Sequence, residues 1–362
     1  MPVRVTMAAW IGSSNAGDEL IHAALRRKLR ARGVDVTVIT ADPGAARSSG
    51  AVGVGHLDAI GIARAIRADD ALIVGGGGLL QDHTSACNLP HHLSRPAWAR
   101  AVATPHAAVG VGAGPVRTRL GGTQVRHALG GAVGISARDQ GSVDLLRGLG
   151  LRGVRLAADL ALSLPSPPTA ADDWITACLR PWRTTRSRLP VAIRSWRDTT
   201  PDDMVARLAH GLDDAARRLG LPVRLVAMQP GRDDMVHRRV AARMRAPVTV
   251  VSPPPREVLR VLAASRVVVA MRYHAAVGAL LAGRPIAVVA CDAKLMRLAR
   301  DIGPGATQLP WTRAALAHLG ETISGVVAHD EHLPAALARL RTRERVNDAI
   351  LDVLLERTAH TA

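Results

Sequence analysis

The sequence predicts an α/β protein of two domains, each a doubly wound parallel sheet, and three observations carry that prediction. Short β-branched runs alternate with longer amphipathic stretches along most of the chain, the pattern of a parallel sheet covered by helices. Near the middle, Pro165-Ser166-Pro167-Pro168 interrupts the rhythm, and proline blocks both ladder and helix continuation. The length, 362 residues, exceeds what one ordinary core holds.

Taken in order, residues 3–10 (VRVTMAAW) read as a strand and Asp18 to Arg32 as a helix ending at Gly33. A second strand follows at 34–40, a helix at 57–68, and a buried strand at 71–74 before four glycines. Residues 107–112 are another strand, Gly141 to Leu149 a helix, and Val154 to Ala157 a short strand. The second half repeats the rhythm, with strands at 189–196, 223–228, 248–252, 267–271 and 286–290. The tail from Leu333 to Arg357 has a helical pattern. The expected division is therefore 1–165, 166–335 and a C-terminal helix with tail over 336–362, with a cleft between the two domains.

Composition narrows the function class. Hydrophobic residues make up 48%, enough for burial, and no run of about 18 apolar residues suggests a membrane span. The N-terminus reads as a first strand and not as a secretion signal. Cys87, Cys178 and Cys291 lie far apart, which excludes a zinc ribbon and gives no disulfide framework; a reducing cytoplasm fits best. The net charge of +17 invites a nucleic-acid reading. Yet 45 of the 47 basic residues are arginine and spread along the chain, and aromatic residues are 2% of the total, so stacking platforms for single strands are mostly missing. The charge instead suits solubility and anionic substrates or an anionic membrane surface.

Open α/β sheets bind ligands beyond the carboxyl ends of their strands, and the polar motifs fall there repeatedly. Gly12 to Glu19 follows the first strand, where Asn15 or Asp18 either caps a helix or faces a ligand. Gly75-Gly76-Gly77-Gly78-Leu79-Leu80-Gln81-Asp82 suits a loop whose N–H groups meet an anion or a sugar, with Gln81 and Asp82 as polar readers. Close packing of helix on sheet is the structural alternative. No Lys-Ser/Thr follows, so it is not a phosphate-binding P-loop. Gly110 to Pro115 lacks the acidic residue of a dinucleotide site, and Arg138 is either a ligand or a partner of Asp139.

In the second half, Arg194 ends the strand 189–196, and Arg272-Tyr273-His274 marks a passage from strand to helix. Arginine offers fixed donors suited to a carboxylate or phosphate. A histidine at the positive end of a helix can exchange a proton near neutral pH, the alternative being a capping or core histidine. Lys294, one of two lysines, follows another strand. His91-His92 lies in a Pro-flanked stretch, expected as loop, without an obvious carboxylate partner, so no metal is expected.

The ordered series Asn15-Ala16-Gly17-Asp18-Glu19, Gly76 to Asp82, Gly112-Ala113-Gly114-Pro115, Ser136-Ala137-Arg138-Asp139 and Ala158-Asp159 resembles the N-terminal half of the polysaccharide pyruvyl transferases. Arg194, Arg272-Tyr273-His274, and Asp292-Ala293-Lys294 with Ile302-Gly303 resemble its C-terminal half, so the likeness spans roughly residues 5–305. The chain departs from the family pattern at Tyr273, where leucine is usual, at Cys291, often aromatic, and at Ala293, often proline.

The resemblance implies two Rossmann-like domains facing a cleft, similar to the GT-B glycosyltransferase architecture. It implies a phosphoenolpyruvate-dependent enzyme that forms a pyruvate ketal on a sugar, with no cofactor besides that co-substrate. Arg194, Arg272, Tyr273 and Lys294 would hold phosphoenolpyruvate, and His274 with Arg272 would be catalytic. Asn15, Gly17, Asp18, Gly76, Gly77, Gln81, Asp82 and Arg138 would face the acceptor. By the same resemblance the acceptor would be a polysaccharide, glycolipid or nucleotide-linked sugar, either free or lipid-linked at the inner membrane face. A homo-oligomer is compatible with the sequence, and no nucleic-acid partner is expected. Two rival readings remain open: a nucleotide-sugar glycosyltransferase of the same fold, against which Glu321 and Asp330 are poorly placed after any strand, and a non-catalytic anion- or nucleic-acid-binding relative.

Overall fold

The computed structural model describes residues 2–48, 50–83, 85–168, 170–171, 173–181 and 201–359. Two compact units result: Met1–Leu164 with Arg339–Ala362, and Pro165–Ala338. The tail that the sequence sets apart at 336 thus belongs, from Arg339, to the first unit.

In the first unit the described strands are β1 (Arg4–Ile11), β2 (Asp35–Thr40), β3 (Val52–Gly55), β4 (Ala71–Leu80), β5 (His106–Ala113), β6 (Gly134–Ala137) and β7 (Val154–Leu156). All pair in parallel, in the order β3-β2-β1-β4-β5-β6-β7. The second unit holds β8 (Ile175–Cys178), β9 (Val223–Val226), β10 (Val248–Val251), β11 (Val267–Ala270), β12 (Ile286–Ala290) and β13 (Ala306–Pro310). Its order is β10-β9-β8-β11-β12-β13, again parallel. In each sheet the chain runs outward from the first strand, then crosses to its other side. The crossings at β1/β4 and β8/β11 open the crevices where such sheets take ligands.

The apolar pattern explains the layers. β5 is buried at every position and β11 likewise, as expected for strands covered on both faces. Helices start at side-chain caps: Asn15 accepts from the Gly17 N–H, Asp58 from Gly61, Thr118 from Gly121, Asp139 from Ser142 and Asp292 from Leu295.

Two expectations are corrected, and a third falls outside the described residues. The four glycines do not form a loop after a strand; they lie inside β4. A Cβ on Gly76 would stand 2.6 Å from Ile21 Cγ2, and one on Gly75 would stand 2.9 Å from Leu25 Cδ2. The glycines let the helix Ala16–Arg30 press onto the strand, the packing alternative. His91 and His92 sit in the helix Asn88–Ala101 and not in a loop. In the second unit the sheet's central β8 comes from residues 175–178, while the expected strand 189–196 lies outside the described residues.

The tail is fastened to the first unit by charge and packing. Lys28 Nζ meets Glu344 at 3.1 Å and Asp348 at 2.7 Å, and Arg32 pairs with Asp348 and Asp352. Buried Asn347 accepts from Ser136 Oγ at 2.7 Å and donates to the Ala158 carbonyl at 3.0 Å.

Candidate active site

The carboxyl edge of the second sheet gathers cations from three neighbouring strands. β8 ends at Cys178 and leads through Leu179 to Arg180, and β11 ends at Ala270 and leads through Met271 to Arg272. The Met271 N–H donates to the Cys178 carbonyl at 3.1 Å, and Cys291 Sγ donates to the Met271 carbonyl at 3.3 Å, which aligns the three strand ends. Arg180 Nη1 donates to Asp292 Oδ2 at 3.2 Å, and Lys294 Nζ lies 3.9 Å from the same oxygen. Asp292 Oδ1 meanwhile caps the helix Ala293–Ile302 through the Leu295 N–H.

Arg272 stands immediately before the helix Tyr273–Leu281 and pairs with Asp233, whose side chain is 0% exposed against 15% for the arginine. The Gln229 N–H donates to the other Asp233 oxygen at 2.9 Å, so the carboxylate is fixed from two sides. Among Arg180, Arg272, Lys294, Asp233 and Asp292, three cations face two carboxylates. The N-termini of two helices add positive potential at the same edge. Such an arrangement can receive an anion.

His274 is the second residue of its helix and half-buried, with its ring 5.2 Å from the buried Tyr273 ring in an edge-on contact. Behind Arg272, His237 is wholly buried and shares a hydrogen bond with the Leu179 carbonyl at 3.2 Å. Burial lowers the His237 pKa from its ordinary value although Asp233 opposes it. Burial pushes the Cys178 thiol up, with the Asp233 charge adding to it, and pushes Cys291 up to about 11. Neither thiol is poised as a nucleophile.

Of the expected donor residues, Arg272, Tyr273, His274 and Lys294 therefore lie along one sheet edge, and Arg194 falls outside the described residues. Arg180, Asp233 and His237 escaped the sequence reading. The signal for Arg180 was the four-residue run Ile175–Cys178 just before it, short and close behind the prolines.

In the first unit the expected acceptor residues divide. Asn15, Gly17 and Asp18 open the helix after β1, where Ser14 holds φ 58° and Gly12 φ 75°. A Cβ on Gly77, itself at φ 83°, would lie 3.3 Å from Asp18 Oδ1, so these two are neighbours. Gln81 is buried and accepts from the His83 N–H at 2.9 Å. Three others are taken up by the fold. Gly76 is filled by Ile21. Asp82 accepts from the N–H groups of Arg117 and Thr118 and the Thr118 hydroxyl. Burial alone would raise its pKa, but those donors outweigh it and hold the carboxyl below its usual range. Arg138 is 3% exposed, pairs with Asp159 at 3.2 Å and lies against the Gly112 backbone. It braces β5, β6 and the segment after β7, and does not reach solvent.

Two doubly wound units define the class, a GT-B-like α/β protein with its polar residues at strand carboxyl ends. HepE from Anabaena, in a complex with UDP-glucose, has 14% identity and a TM-score of 0.57, with 98% of this chain and 99% of that one covered. MnaA of S. aureus, with UDP, gives 9% identity and a TM-score of 0.61 over 97% and 98%. MurG of Acinetobacter baumannii gives 12% and 0.53 over 98% and 100%. No curated protein sequence matches. The family model of the polysaccharide pyruvyl transferases matches residues 15–293, and the chain belongs to that family. It is a transferase of the pyruvyl transferase kind.

Proposed function

We propose that the protein transfers pyruvate from phosphoenolpyruvate to a pair of sugar hydroxyls as a ketal, with the donor held on the carboxyl edge of the second sheet. The observation that carries this reading is the gathering of three cations there, Arg180, Arg272 and Lys294 against Asp233 and Asp292, beside the His274 imidazole. A small, multiply anionic enol ester matches such an edge.

The chemistry uses these groups in order. His274, protonated, delivers a proton to the donor methylene, and an oxocarbenium-like centre develops at C2. One sugar hydroxyl adds to C2, the phosphate ester bond breaks, and the second hydroxyl closes the ketal. Of the two hydroxyl protons released, one restores His274 and the other leaves with phosphate. Arg272 and Arg180 stabilise the charge accumulating on phosphate, and a positioned acid contributes about 10²–10⁴-fold. The buried Asp233 carboxylate acts at one remove by keeping the Arg272 guanidinium in one orientation.

A nucleotide-sugar donor is the second reading, favoured by HepE and MnaA, whose structures contain UDP-glucose and UDP. Glu321, however, lies on the helix Leu319–Val326 beside His318, and Asp330 on a short helical turn, neither at a strand end. Thermal-shift titration separates the two readings. Stabilisation by phosphoenolpyruvate that disappears in Arg180→Ala supports the first, and stabilisation by uridine or guanosine nucleotides alone supports the second.

A further inference from the structure

The carboxyl edge of the first sheet carries a cluster of rings that the donor chemistry does not use. Trp10 comes from the end of β1, His56 directly follows β3, and His91 and His92 come from the first turns of the helix after β4. The Trp10 ring lies 5.9 Å from that of His56, 5.8 Å from His91 and 5.8 Å from His92, each edge-on. The His91 and His92 rings are 5.0 Å apart and also edge-on. Beneath the three imidazoles a small recess is floored by Ala8, Ile39, Val74 and Leu79. Arg95, 5% exposed, closes its side by donating to the His56 carbonyl at 2.8 Å and to Ser94 Oγ at 3.3 Å.

Two features of the cluster point to a ligand. Trp10 is 38% exposed, so part of its indole is open to solvent at a strand end beside the β1/β4 crossing. The ring nitrogens of Trp10, His56, His91 and His92 make no hydrogen bond to another described residue, so four polar handles surround one apolar face. By contrast, one ring nitrogen of His106 and one of His237 are each bonded to a backbone carbonyl. Among the described residues no group of His, Cys, Asp and Glu is placed to hold a metal ion, so the imidazoles are not a ligand set. An apolar face edged by neutral donors and acceptors is what a pyranose ring requires, its C–H face stacking on the indole and its hydroxyls meeting the edges.

We infer that Trp10, His56, His91 and His92 form the acceptor platform, and that it takes a neutral pyranose ring. The inference rests on the proposed reading, in which a sugar is the acceptor, and specifies where and by what chemistry that sugar is held. Burial holds His91 near about 4, with Arg95 and His56 adding to it, and holds His92 near about 3, with His91 and Arg95 adding. Both imidazoles are therefore uncharged at neutral pH and offer one donor and one acceptor each. Asp82 and Arg138, two of the three charged residues expected to face the acceptor, are turned to the fold, while Asp18 stays beside Gly77 at the opening of the helix after β1.

The test uses the full chain without phosphoenolpyruvate. The indole N–H resonance of Trp10, assigned by its loss in Trp10→Phe, is followed during titration with the methyl β-glycosides of galactose, glucose and N-acetylglucosamine. Concentrations reach about 50 mM, well above a millimolar Kd. The expected result is a saturable shift of Trp10 with at least one glycoside, weakened in His92→Gln, while the exposed Trp98 indole, which donates to the Ala63 carbonyl, stays still. In turnover, Trp10→Ala raises the acceptor KM about tenfold and leaves the KM for phosphoenolpyruvate unchanged. A silent Trp10 with all three glycosides, or equal shifts of Trp10 and Trp98, overturns the inference. Phosphate release with a silent Trp10 sinks the platform and leaves the donor reading standing; glycoside uptake at Trp10 without phosphate release supports the platform and sinks the donor reading.

Discussion

Removing the Arg272 guanidinium leaves the Asp233 carboxylate buried without its cation, a loss of about 3–5 kcal/mol. Arg272→Ala is therefore expected to lose both stability and phosphate release, and adding Asp233→Asn should recover the melting temperature but not the turnover. Arg272→Lys should keep most of the stability yet still lose turnover, because an ammonium cannot make the paired donation of a guanidinium. Arg180 is the cleaner probe. Its pair with Asp292 is part-exposed, so Arg180→Ala should cost at most about 1 kcal/mol while phosphate release falls at least tenfold. Thermal unfolding and a phosphate assay on the same samples decide both cases. Arg272 and His274 were legible in the sequence because a strand end followed by a helix start is itself a sequence pattern. Arg180 was not, since a four-residue strand behind prolines carries little periodicity and the longer run 189–196 competed with it. Asp82 and Arg138 were legible as polar residues at strand ends, but their partners at Arg117, Thr118 and Asp159 are set by tertiary packing.

At the scale of elements, the glycine run of β4 shows how one composition serves two purposes. Four glycines in sequence suggest an open loop, yet the Ile21 and Leu25 side chains occupy the space that Cβ atoms would need at Gly76 and Gly75. Gly76→Ala should therefore destabilise the first unit by about 1–3 kcal/mol through overpacking, with denaturant unfolding as the measurement. Gly148→Ala, on a helix with no neighbouring atom within 4 Å, should stay within about 0.5 kcal/mol of the parent. Equal effects at the two sites would remove the packing explanation. Much of the alternation of strands and helices was legible because parallel strands buried on both faces read as apolar runs. The short strands β3, β6 and β13 were missed for want of such runs, as Val52–Gly55 and Gly134–Ala137 are half glycine or small residues.

At the scale of the whole molecule, the chain leaves the first unit at Leu164 and returns to it at Arg339. Sequence periodicity showed the returning helices but not their destination, which depends on side chains such as Asn347 meeting Ser136 and Ala158. Asn347→Ala strands those buried partners and should cost about 1–3 kcal/mol, read as a lower melting temperature. Acid should weaken the fold for a different reason. The His91 and His92 pKa values are depressed to about 4 and about 3, so between their ordinary value near 6.5 and about 4 the unfolded chain binds protons that the folded chain refuses. Stability present above pH ~6.5 is lost as pH falls through that window. The groups facing these rings are His56 and Arg95, and His92→Gln should flatten the pH dependence of the melting temperature; an unchanged slope would assign the acid sensitivity elsewhere. The most direct test of the central claim is the fate of phosphoenolpyruvate carrying an isotope label at C2, incubated with the protein and pyranosides and followed by NMR. A quaternary ketal carbon appearing in step with inorganic phosphate, and absent with Arg272→Lys, is the expected result. An unaltered C2 signal across the pyranosides while a uridine-diphosphate sugar is consumed would contradict it.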